Sequence, residues 1–177
     1  MDGRYGREKT FTPDAEQPTG IDWLGQLKGL LEMRFEDKVT DTTLMLCIDA
    51  AIEHVEETTG RAIRVGTMAV TYEAWVGRFP FPFLPFKELT SVEDLDGDEL
   101  DYTQKGGTLD VKAADGCRIV YTSGYGNSCP KPLQMAVLKT ALTMYEIRSN
   151  IAIGTVSSVL PQSADSLMEL FVITQDS

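Results

Sequence analysis

The 177-residue sequence is poor in basic groups, histidine, cysteine and long apolar runs, and each shortage argues against a class of function. Lysine and arginine number 16 against 27 aspartates and glutamates, a formal net charge of −11. A protein that grips nucleic acid draws much of its affinity from a basic patch that neutralises phosphates, so tight duplex binding is not expected. Passage of DNA without adhesion is compatible, because an acidic wall repels phosphates. The one histidine, His54, sits among glutamates with no nucleophile placed near it by spacing, and reads as a surface residue. Three cysteines (Cys47, Cys117 and Cys129) are odd in number and form no C-x-x-C pair. That pattern indicates neither a disulfide framework nor a zinc site, and fits reduced thiols used as small apolar residues. No run of about 18 apolar residues occurs, and the N-terminal stretch lacks the apolar segment of a signal peptide, so a membrane span is not expected and a cytoplasmic origin is. Gly-rich phosphate loops, Walker patterns and Ser/His/Asp sets are missing too.

Two short patterns imitate chemistry. Ser128-Cys129-Pro130-Lys131 fits S-x-x-K, but prolines bracket the lysine and the companion S-D-N and K-T-G motifs are missing downstream. A loop entering a helix is the better reading. Asp94-Leu95-Asp96-Gly97-Asp98-Glu99 has the look of a calcium loop, yet its glycine follows two aspartates instead of three alternating oxygen ligands. An Asp-Gly hairpin turn explains it more simply. Neither a metal, a cofactor nor a catalytic residue is expected.

What the chain does contain is organised. Residues 1–19 are polar, punctuated by glycine and proline, and read as a flexible or extended N-terminal arm. A connector domain is expected over residues 20–153, with helices at about 21–34, 41–59 and 131–150. Asp22 is the first N-cap, Thr40 or Asp41 the second, and Gly60 the stop of the second helix. Leu44, Ile48, Ala51 and Val55 form that helix's apolar stripe. The third helix carries two apolar stripes, one through Leu133, Ala136, Val137, Ala141, Met144 and Ile147 and one through Met135, Leu138, Leu142 and Tyr145. Only Lys139, Thr143 and Glu146 interrupt them, so burial on both sides is expected. Between the second and third helices, alternation in Met68–Tyr72 and Arg118–Thr122 predicts strands in a small antiparallel β insertion over about 63–123. Residues 154–177 form a C-terminal tail with a short amphipathic helix, capped by Ser163, that needs a surface to dock on. The expected class is α+β, mainly α: a helical bundle with a small antiparallel β insertion and an extended or short-helical tail.

Inside the insertion, Trp75, Phe79, Phe81, Phe83 and Phe86 crowd a proline-punctuated loop. Capping the domain's own core and contacting a neighbouring subunit or tail component are equally weighted readings of it.

The order of motifs resembles the head–tail connector (adaptor) proteins of tailed bacteriophages. Ala50 to Arg61 resembles that family's A-A-x-x-x-x-E-x-x-T-G-R stretch. Phe81–Pro85 stands for its Pro-rich loop, Ser91-Val92 with Asp94–Gly97 for its S-V-x-x-x-D-x-G hairpin, and Ile119–Gly126 for its V-x-Y-x-x-G-Y-G strand end. Pro130, Leu133, Ala136, Tyr145 and Arg148 match the helix that follows, and Leu160-Pro161 with Ser166–Phe171 echo the closing segment. The likeness runs over about residues 21–172. It departs in the long N-terminal arm, the phenylalanine-rich loop and a tail without a basic end. The resemblance implies a structural virion protein of the phage neck and no enzyme, forming a self-assembled ring of about twelve copies. Such a ring joins the portal protein to a stopper or tail protein and lets genomic DNA pass through an acidic channel. It also implies that Leu160, Leu167, Met168, Leu170 and Phe171 dock on the portal or an adjacent subunit. The alternative from another class is a cytoplasmic acidic protein-binding module without ring assembly.

Overall fold

A computed structural model describes residues 7–14, 20–32, 40–74, 78–105, 108–112, 115–153 and 162–172. It divides into two compact units, one built from residues 1–15, 64–124 and 175–177, the other from 16–63 and 125–174.

The first unit is all β among the described residues. Its main sheet is antiparallel in the order β1 (Arg7–Pro13), β2 (Gly66–Tyr72), β7 (Cys117–Ser123), β4 (Phe86–Glu93). A second, three-stranded sheet runs β3 (Arg78–Pro80), β6 (Thr108–Val111), β5 (Tyr102–Lys105). This overturns the expected mainly helical bundle with a small β insertion, because seven strands in two sheets form a unit of their own. The reason lies in what stabilises strands. Cross-strand pairs join segments far apart in sequence, such as Phe11 with Met68 and Ala69 with Val120, and no local period reveals them. The stretch read as a flexible or extended arm shows the same effect. Arg7-Glu8-Lys9-Thr10-Phe11-Thr12-Pro13 looks polar, yet it pairs along its whole length with β2. Alternation then sets the burial: Met68 and Val70 on β2 and Cys117, Ile119 and Tyr121 on β7 are buried, joined by Val92, Leu109 and Val111. Asp94 turns the β4–β5 connection, its carboxylate accepting from the N–H groups of Asp96 (2.9 Å) and Asp98 (2.8 Å), with Gly97 at φ 97°.

The second unit is helical. In α1 (Trp23–Leu30), Asp22 caps by accepting from the Gly25 N–H at 2.9 Å. The helix stops short of the expected residue 34 because the chain turns at Leu31 and Glu32, the latter at φ 55°. Helix α2 (Asp41–Thr59) ends on Gly60 in the left-handed region at φ 65°. A single 3-10 turn, Gly126–Ser128, leads to α3 (Lys131–Ile153), and α4 (Gln162–Glu169) follows. The core gathers Trp23 and Leu27, Leu44, Ile48, Ile52 and Val55, Leu133, Val137 and Ala141, and Met168. Burying each such side chain is worth about 1.5–3 kcal/mol before ordering costs. Lys28 is buried and forms an ion pair with Asp41 at the start of α2. Each charge also sits at the helix end its dipole favours, Lys28 in the last turn of α1 and Asp41 in the first of α2. Thr143, read as part of a polar strip, is buried, and its hydroxyl donates to the Lys139 carbonyl at 2.9 Å. No helix among the described residues is long and apolar enough to cross a membrane.

Candidate docking surfaces

The sequence patterns with a chemical look are absorbed into local structure. The Ser128 hydroxyl donates to the Tyr125 carbonyl at 2.7 Å within its own turn, while Lys131 donates to Gln134 Oε1 at 3.2 Å. Gln134 in turn donates to the Cys129 carbonyl at 2.7 Å, so this stretch is a helix entry. His54 is exposed on α2. Burial pushes the Cys117 thiol up to about 11. It also drives the Cys129 thiol up to about 12, with the Glu56 carboxylate adding to the rise and Lys131 opposing it. Neither is a reactive thiolate at neutral pH. Among the described residues, no group of three or more His, Cys, Asp or Glu side chains is placed to hold a metal ion.

The aromatic loop builds the core of the β unit. Phe81 stacks on Phe86 at 4.4 Å and meets Tyr121 edge-on at 4.8 Å, and Phe83 lies 5.3 Å from Phe11 of β1. The Tyr121 hydroxyl accepts from the Phe83 N–H at 3.1 Å, and Ser123 Oγ lies 3.1 Å from the carbonyls of both Phe83 and Pro85. Phe81 and Phe83 are buried within their own unit and Phe86 is half-buried. Trp75 lies outside the described residues, and of Phe79 only the backbone is described, opposite Leu109.

The C-terminal segment packs on its own chain. Ala164 and Met168 are buried, Leu167 and Phe171 half-buried and packed against the helical core. Helix α4 meets α3 and α2. Leu170 points away from this packing at 74% exposure, with Val172 exposed beside it. Of the four described residues expected to dock elsewhere, Met168 is the most buried and Leu170 the most exposed. Leu160 lies outside the described residues.

The E-x-x-T-G-R stretch has a structural role that its sequence did not disclose. Glu56, buried near the end of α2, accepts from the Ile63 N–H at 2.8 Å. The Thr59 hydroxyl donates to the Val55 carbonyl at 2.7 Å and accepts from the Arg61 N–H at 3.1 Å. Gly60 supplies the left-handed cap, and Arg61 Nε donates to the Phe171 carbonyl at 3.2 Å. Four motif residues thus close the helix and reach the C-terminal segment. In the sequence Arg61 stands only as the last residue of that resembling stretch. Its link to Phe171 spans 110 positions and has no local signal.

No family model and no curated protein matches the sequence. Solved structures do. A chain from "Neck of empty GTA particle computed with C6 symmetry" aligns with TM-score 0.71 and 19% identity, over 96% of this chain and 97% of that one. One from "Virion of native gene transfer agent (GTA) particle" aligns with TM-score 0.68 and 20% identity, over 95% and 97%. A third, from "Neck of native GTA particle computed with C12 symmetry", gives 0.67 and 18% over 95% and 97%. At these identities the likeness establishes the fold: from β1 to α4, this chain is built like protein chains of gene transfer agent particles.

Proposed function

We propose that the protein is a structural subunit of the neck of a tailed-phage-like particle, assembling as a ring between portal and tail or stopper. The observation that carries this reading is the near end-to-end fold correspondence with neck chains, 95–96% of this chain against 97% of theirs. A correspondence over both units leaves little of either chain to serve a different task. The C12 symmetry of one matching neck favours a ring of about twelve copies. The net charge of −11 suits a channel wall past which DNA slides without sticking. Local structure accounts for Ser128, Lys131 and Asp94, which favours a structural part over an enzyme.

Leu170, the most exposed large apolar side chain among the described residues of the C-terminal segment, is the residue we assign to portal or neighbour contact. The test is native mass spectrometry with negative-stain imaging, on the purified chain alone and mixed with purified portal particles. Rings, or portal-bound rings, are expected. Leu170→Asp should weaken attachment at least about tenfold while shifting monomer stability by no more than about 0.5 kcal/mol. A chain that stays monomeric or dimeric at every concentration and ignores portals refutes the neck reading.

A further inference from the structure

We infer that α4 is a detachable strap on the helical unit, and that Arg61 is the latch holding it against its own chain. Eight residues make little more than two turns, too few for a helix to persist without docking. Its docking is narrow. Among its described side chains, Ala164 and Met168 are buried, Leu167 and Phe171 are half-covered, and Asp165, Ser166, Glu169 and Leu170 are exposed. The bundle beneath fully buries Ile48, Ile52, Val55, Leu133, Ala136 and Val137, in the same core that Met168 enters from α4. Unpacking α4 therefore uncovers Ala164, Met168 and the covered parts of Leu167 and Phe171, whereas unpacking α3 would take Leu133, Ala136, Val137, Leu138 and Ala141 out of the core.

The latch lies at the strap's far end. The Phe171 carbonyl falls just past the last turn of α4, where carbonyls lack partners within the helix and cations are favoured. Arg61 Nε donates to it at 3.2 Å. The T-G-R turn fixes Arg61 there: Thr59 Oγ1 holds its N–H and Gly60 reverses the chain. Release would expose Ala164, Leu167, Met168 and Phe171 together as one apolar ridge at helical spacing. On the neck reading, opening would offer that ridge to a partner. The strap itself does not depend on that reading.

Hydrogen–deuterium exchange of the full chain, followed by mass spectrometry, tests this without any partner. Amides of residues 162–172 should exchange about 100-fold faster than those of residues 133–141 in α3. Arg61→Ala should accelerate the 162–172 segment about tenfold more and leave α3 unchanged. Met168→Ala, made on the strap itself, should act in the same way. Equal protection of α4 and α3 in the wild-type chain overturns the strap. Acceleration of both helices together by Met168→Ala does so too. An Arg61→Ala chain that exchanges like wild type overturns the latch.

Discussion

Glu56 offers the sharpest test of how the helical unit is held. It is a carboxylate at 1% exposure near the C-terminal end of α2, where the helix dipole disfavours negative charge. Among its interactions it accepts the Ile63 N–H at 2.8 Å, and Ile63 is fully buried. If that capping is its main contribution, the amide oxygen of glutamine can supply it. Glu56→Gln should then remain within about 1 kcal/mol of wild type, since the loss of a charge-assisted bond is offset by the smaller cost of burying a neutral group. Glu56→Ala strands the N–H, at about 1–3 kcal/mol, and removes packed methylene at about 0.8 kcal/mol per group, giving a loss of about 2–4 kcal/mol. Urea melts followed by far-UV circular dichroism measure both. The glutamine variant should also lower the Cys129 pKa from about 12, because the Glu56 charge is the second cause of its rise after burial. A glutamine variant as unstable as the alanine one would refute the capping account and assign the stability to the carboxylate's charge.

Gly124, the first glycine of the Ile119–Gly126 strand end, sits at φ 124°, and a Cβ there would collide with the Arg64 carbonyl. Gly124→Ala should destabilise the β unit by about 2 kcal/mol or more, seen as an earlier urea transition. The two buried thiols predict an alkaline limit. Their folded pKa values, about 11 for Cys117 and about 12 for Cys129, lie above the ordinary 9.0, so the folded chain holds these protons more tightly. Stability they contribute is full below pH 9 and falls as pH rises toward 12; at neutral pH a thiol reagent should label half-buried Cys47 well before the other two. Unfolding midpoints that rise between pH 9 and 11 in a chain lacking Cys47 would contradict this. Removing residues 1–14 deletes β1, bares the β2 edge and takes Phe11 away from Phe83. Size-exclusion chromatography should show aggregation of the truncated chain, and a monodisperse product would show β1 to be dispensable.

The sequence by itself determined the start of α1 and both ends of α2, because caps are local. Asp22 bonds three residues ahead, Gly60 reverses the chain where α2 stops, and Asp41–Thr59 is set by the stripe between them. It also determined the net charge, which no fold alters, and the strands β2 and β7, whose alternation records one buried face. Tertiary structure alone decided what joins distant segments. It turned a polar N-terminal stretch into β1, gathered seven strands into a unit of their own, and sent Phe81 and Phe83 inward. It also seated Met168 on the chain's own bundle and brought Arg61 to Phe171. Such pairings depend on which surfaces meet after loop closure, so the energy that selects them belongs to neither segment alone.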